Sequence, residues 1–256
     1  MKHIGIFLLW IAVASCQAQV NNEIKVSEDS IIISSVELYY WENVQDSIPS
    51  QSIGSVSNGR LLHGTLLPFE GKNYHYFDTT SYLAGRCFMH QSVAQTVLSA
   101  YQSLDSLLPE RTFGIMECAH KEGGKLEPHR THQNGLSIDF MSPLLKNDSA
   151  YYELDYLGGP HYLLDFNDDG TYKNDPAISI DFDAIALHIL TLQVAAKKNG
   201  VSIEKVIFKT ELKDELYASA HGEALKKSGI YITKNLTPLI NSLHDDHYHI
   251  DFQLLP

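Results

Sequence analysis

Five of the thirteen histidines in this chain fall into two compact groups. The first lies in Pro128-His129-Arg130-Thr131-His132-Gln133-Asn134-Gly135-Leu136-Ser137-Ile138-Asp139, the second in His244-Asp245-Asp246-His247-Tyr248-His249. Imidazole nitrogen and carboxylate oxygen are the donors that zinc accepts, and a catalytic zinc site keeps one position open for water or substrate. His132 on a loop and Asp139 on the strand after it can converge on one ion, because Gly135 lets the chain turn between them. His247 and His249 are two residues apart, so on a strand they share a face about 6–7 Å apart and line one site. A His-x-His pair alone occurs often by chance. Asp139 carries more weight, since a carboxylate inside an apolar strand needs a partner or a metal. His129 also reads as a loop residue that stacks or hydrogen-bonds. Asp245-Asp246 reads either as acceptors that orient an imidazole or as a solvated turn.

These groups need elements to hold them. Leu136 to Met141 alternates as a strand does, and Tyr248 to Phe252 supplies another, with Tyr248 pointing away from its flanking histidines and packing. Thr112 to Met116 and Val206-Ile207-Phe208 add two more. A helix is expected from about Gln91 to Leu108, with Val93, Val97, Leu98, Tyr101, Leu104 and Leu108 on one face and Pro109 ending it. A second is expected from Phe182 to Asn199, stopped by Gly200. Helical and extended segments mix without a regular βαβ rhythm. The fold class is therefore α+β, a single domain with a central antiparallel sheet flanked by helices and the site on the sheet. Asp165-Phe166-Asn167-Asp168-Asp169-Gly170 opens like a calcium loop, but Pro176 stands where the loop's closing glutamate belongs, so a hairpin turn is expected.

The combination of motifs resembles the penicillin-insensitive murein endopeptidases, within a wider group of zinc peptidases that includes D-Ala-D-Ala dipeptidases and the hedgehog signalling domain. That group is marked by His-x6-Asp followed by His-x-His, matched by His132, Asp139, His247 and His249. The stretch Gln51 to Gly59 with Leu66-Leu67-Pro68 resembles the endopeptidases' N-terminal signature. Gly123-Gly124, His129 and His132-Gln133-x-Gly135-Leu136 resemble the central one, and His244-x-x-His247-x-His249 the C-terminal one. The likeness runs from about residue 50 to 253.

The resemblance implies one zinc ion held by His132, Asp139 and His249. It implies His247 beside the reacting water, His244 where related dipeptidases have a glutamate base, and His129 at the rim of the site. It implies hydrolysis of peptidoglycan cross-links between D-alanine and the diamino acid of a neighbouring stem peptide. A D,D-dipeptidase or carboxypeptidase on the same scaffold, and a zinc-containing binding module without catalysis, are the alternatives. This chain departs from the pattern at Arg60, where a family member has cysteine, at Ser137, where the family has aspartate, and around Lys125 to Arg130.

The rest of the chain fits an exported protein. Met1-Lys2-His3 followed by the apolar run Ile4 to Ala14 reads as an export signal over residues 1–18, too short to span a membrane. Val13-Ala14-Ser15-Cys16 fits a lipoprotein cleavage site with acylation of Cys16, and a plain secretory cut after Ala18 is the competitor. A polar tether over 19–50, with extended structure at Ile31 to Ile33 and Val36 to Trp41, then leads into a zinc peptidase domain over 51–256. The expected location is the periplasm or the outer membrane, with a lipidated Cys16 as anchor. Cys87 and Cys118 allow one disulfide or two buried thiols. A formal net charge of -12 with no basic run argues against nucleic acid as partner.

Overall fold

The computed structural model describes residues 33–44 and 48–256; the expected export signal, Cys16 and most of the expected tether lie outside the described residues. The site rests on a five-stranded sheet. Its strands in chain order are β1 (Tyr74–Tyr76), β2 (Phe113–Ile115), β3 (Ser137–Met141), β4 (Val201–Ile207) and β5 (His247–Leu254), and their spatial order is β4-β5-β3-β2-β1. All neighbours are antiparallel except the edge pair β1 and β2, which runs parallel. The strand forecasts for 112–116, 136–141, 206–208 and 248–252 each overlap one of these strands, although β4 begins five residues before its apolar triplet.

Two long helices cover one face of this sheet and pack against each other. With α1 (Ser35–Asn43) preceding them, α2 is Gln91–Leu107 and α3 is Phe182–Lys198. Helix α2 starts where the His90 ring accepts from the Ser92 amide, and α3 where Asp181 accepts from Ala184. The buried stripe of α2 is Val93, Ala94, Val97, Ala100, Tyr101 and Leu104. Leu98, expected on that face, is instead 42% exposed, because one step from Val97 turns the side chain about 100° around the axis.

Alternation on β3 and β5 sorts side chains by role. Ile138, Phe140, Tyr248, Ile250 and Phe252 are fully buried in the helix-covered core. There the Tyr248 hydroxyl meets His188 Nδ1 of α3 at 2.5 Å, and burial holds that imidazole neutral with a pKa near 3. The other parity of the same strands carries Ser137, Asp139, His247, His249 and Asp251.

Segment 36–41, expected to be extended, is helical. Val36, Tyr39 and Tyr40 recur at helical spacing and pack on the core, with Tyr39 edge-on to Tyr82 at 5.6 Å. A run of β-formers hid that period. Residues 165–170 form a hairpin turn, in which Asn167 donates to the Thr171 carbonyl and Asp169 accepts from the Thr171 amide and hydroxyl. Cys87 and Cys118 are buried free thiols. Residues Val36–Pro256 form one compact α+β unit, and no helix among the described residues is long and apolar enough to cross a membrane.

Candidate functional site

Strand register does most of the assembly. On the antiparallel pair β3 and β5, Asp139 lies directly opposite His249, Met141 opposite His247, and Ser137 opposite Asp251. His249 Nδ1 sits 2.7 Å from Asp139 Oδ1, so residues 110 positions apart meet because two strands are in register. The third group comes from the loop before β3. His132 is fully buried and its backbone is left-handed at φ 67°, a conformation that costs energy in a non-glycine residue and clusters at functional sites. Its Nε2 lies 3.3 Å from Asp139 Oδ2, and its ring is 4.8 Å from that of His249.

The loop is braced from outside. The hairpin of Gln51–Ser55 and Asn58–Leu62 receives it, with Gln133 donating to the Val56 carbonyl at 3.0 Å and Ser52 Oγ donating to the Asn134 carbonyl at 2.7 Å. Gly135 takes φ 76°, and a Cβ there would stand 2.8 Å from the His90 amide nitrogen, itself bonded to the Gly135 carbonyl. Gly135→Ala is therefore expected to lower unfolding free energy by about 1–3 kcal/mol, read from urea denaturation of the two proteins. An unchanged midpoint would show that the loop accommodates a side chain.

His129, expected at the rim of the site, lies beside Asp139. Its Nδ1 lies 3.5 Å from Asp139 Oδ2 and its ring is 4.9 Å from that of His132. The donor atoms of His129, His132 and Asp139 all fall within 4.8 Å of one another, the arrangement of a metal-binding group, whereas His249 approaches the other oxygen of Asp139. Three imidazoles thus surround a single buried carboxylate. Burial by itself would raise the Asp139 pKa, but His132 and His249 outweigh it and hold the group well below the usual carboxylate range.

Whether these residues suit a cation follows from their unmet valences. Both ring nitrogens of His132 and Oδ2 of Asp139 are buried without a hydrogen-bond partner. Leaving such groups bare costs about 1–3 kcal/mol each. Two donors on one tetrahedral zinc would be about 3.3–3.5 Å apart, from bond lengths of roughly 2.0–2.1 Å. The observed separations about Oδ2 are 3.3 and 3.5 Å. His129, His132 and Asp139 are thus spaced as a group that could hold a metal ion.

A second carboxylate stands behind His249. Asp251 Oδ1 lies 2.7 Å from His249 Nε2 and takes the Ser137 hydroxyl at 2.5 Å, while its Oδ2 pairs with Lys205 at 2.8 Å. Ser137, directly opposite Asp251 on the facing strand, donates to this carboxylate. Burial opposes charge on His249, but Asp251 and Asp139 outweigh it and raise its pKa to about 10. Both nitrogens of His249 thus meet a carboxylate, Nε2 that of Asp251 and Nδ1 that of Asp139. Asp251→Asn is expected to weaken zinc binding about 10–100-fold in competition with a chelator dye. Equal affinity in the two proteins would remove this role.

The rings of His247 and His244 lie beside the cluster, 4.8 Å apart and tilted by 37°. His247 Nδ1 donates to Asp246 Oδ1 at 2.9 Å. Burial disfavours its charge, but Asp246 outweighs burial and raises the pKa above the ordinary value. His244 Nδ1 instead donates to the Ile240 carbonyl at 2.6 Å, and burial, with His247 alongside, lowers its pKa to about 3. Asp245 and Asp246 are buried rather than solvated, and Asp245 pairs with Lys209.

Three residues here carry no motif in the sequence reading. Asp251 was legible in principle, since 247, 249 and 251 alternate along one strand face. His161, whose ring nitrogens lie 3.1 and 3.2 Å from the Leu154 and Asp246 carbonyls, had no signal. Tyr162, edge-on to His247 at 5.3 Å, had none either.

No family model matches the chain. Curated relatives do: it is 28% identical over 130 residues to the penicillin-insensitive murein endopeptidases of Escherichia coli O157:H7 and Shigella dysenteriae serotype 1, matching 49% of this chain and 46% of each relative. The enzyme of that name from Salmonella paratyphi C is 29% identical over 112 residues, 41% of this chain and 38% of the relative. The chain thus resembles these endopeptidases, and it spans under half the length of the relatives it matches.

Proposed function

From this resemblance to penicillin-insensitive murein endopeptidases, we infer that the chain is a zinc-dependent endopeptidase acting on the peptide cross-links of peptidoglycan. The observation that carries the reading is the buried meeting of His132, Asp139 and His249, in which both His132 nitrogens and Asp139 Oδ2 have no hydrogen-bond partner. The proposed ligands are these three. His249 is favoured over His129 because Asp251 backs its ring, the carboxylate–imidazole arrangement usual behind metal-bound histidines. Zinc bound there supplies Lewis acidity, which lowers the pKa of water and polarises a carbonyl.

The chain's own residues handle the proton. In hydrolysis the water oxygen joins the carbonyl carbon, the carbon–nitrogen bond breaks, and a proton must reach the leaving amine. His247 is assigned that transfer, since Asp246 fixes its Nδ1–H and stabilises the imidazolium as it forms, leaving the other nitrogen for the proton. His244, with its Nδ1–H committed to Ile240, keeps a neutral acceptor nitrogen that holds a substrate N–H. A peptidoglycan substrate makes the periplasm the proposed site of action.

Incubating the zinc-loaded protein with purified cross-linked muropeptide dimers tests this. Monomeric products are expected. Release of free D-alanine or D-Ala-D-Ala instead would make it a carboxypeptidase or dipeptidase, and retention of the dimer uncut would make it a binding module. His129→Ala is expected to keep full zinc occupancy by elemental analysis. Loss of the metal there would transfer the ligand role from His249 to His129.

A further inference from the structure

One buried group at the site has no task so far. Tyr162 sits on the single turn Gly159–Leu163, with its ring 5.5 Å from Phe77, 5.3 Å from His247 and 6.4 Å from His129. The phenol ring therefore neighbours both the imidazole proposed to carry the proton and one of the imidazoles around Asp139. Its hydroxyl oxygen is buried, yet it has no hydrogen-bond partner among the described residues. Buried tyrosine hydroxyls ordinarily find one, and where packing alone matters phenylalanine fills the same volume without an unmet donor.

The turn is also anchored to the site. His161, the preceding residue, is fully buried, with Nδ1 3.1 Å from the Leu154 carbonyl and Nε2 3.2 Å from the Asp246 carbonyl. Asp246 in turn holds His247 at 2.9 Å. Tyr162 and His247 are consequently referenced to one backbone segment, which fixes the hydroxyl relative to the proton-carrying imidazole. A donor held in place before reaction, in a site shielded from water, is what stabilises a developing oxyanion.

We propose that Tyr162 is a catalytic residue whose hydroxyl donates a hydrogen bond to the scissile carbonyl oxygen as that oxygen gains negative charge. A phenol is protonated at neutral pH and keeps its proton throughout, so the step adds no bond change to hydrolysis. The assignment rests on the endopeptidase reading given above.

Tyr162→Phe tests it, with wild type alongside on the same muropeptide dimer. The variant is expected to keep the wild-type melting temperature, zinc content and KM, while kcat falls about 10²-fold. A phosphinate dimer analogue, carrying a tetrahedral phosphorus in place of the scissile carbonyl, is expected to bind more weakly by a similar factor in calorimetry. A variant with wild-type kcat and wild-type phosphinate affinity overturns the role of Tyr162 and leaves the endopeptidase reading standing. A rise in KM with kcat unchanged also overturns it, since that pattern marks uniform binding. Wild type that leaves the dimer uncut sinks both.

Discussion

His132→Ala is expected to lose zinc and cleavage together. His132 supplies a fully buried imidazole whose two nitrogens have no other partner, 3.3 Å from the Asp139 carboxylate. Removing it leaves Asp139 and His249 facing a cavity, with the metal short of one of its three proposed protein ligands. The readout need not be activity. An ion that binds only the folded state stabilises it, by about 2.7 kcal/mol at a hundredfold excess over Kd. Wild type should therefore melt higher when zinc is added, and the variant should not. Because residue 132 is left-handed at φ 67°, alanine adds a backbone cost of its own. His132→Asn separates the effects, since asparagine tolerates that conformation. If either variant retained stoichiometric zinc and the thermal response, the ligand assignment would be wrong.

His247→Ala should divide what His132→Ala removes together. Zinc is retained, because His247 faces Asp246 and His244 rather than Asp139. Turnover falls by about 10²–10⁴-fold, the usual contribution of a positioned general acid–base group. Asp246→Asn should fall between the two proteins, since it keeps a hydrogen-bond acceptor at Nδ1 but loses the charge that stabilises the imidazolium. Elemental analysis and muropeptide digestion on the same samples decide the matter. A His247→Ala protein without metal would make His247 a ligand, and one with full turnover would leave the proton to His244.

Local pattern made much of the scaffold legible. The period of 91–108 and 182–199 announced two helices, with Pro109 and Gly200 marking their ends. The alternation of 136–141 and 248–252 announced two strands and separated the histidines from Tyr248. Where two local patterns competed, the reading failed. Val36 to Trp41 is rich in strand-forming residues, yet the core selected its three- and four-residue spacing and made a helix. Asp245-Asp246 looked as much like a solvated turn as a pair of acceptors, and only the packing of Phe166, Lys209 and His247 around them resolved the choice.

By itself the sequence determined the kinds of donor available and the strand face on which each stands, because residue type and a period of two are properties of the chain alone. Register was decided by the tertiary structure. A slip of one residue between β3 and β5 would turn His249 from Asp139 toward the core, and nothing in either strand read separately forbids it. The same holds for His129, Tyr162, His161 and Lys205, which reach the site from loops or from a neighbouring strand. Convergence across long sequence separations depends on how the whole chain packs.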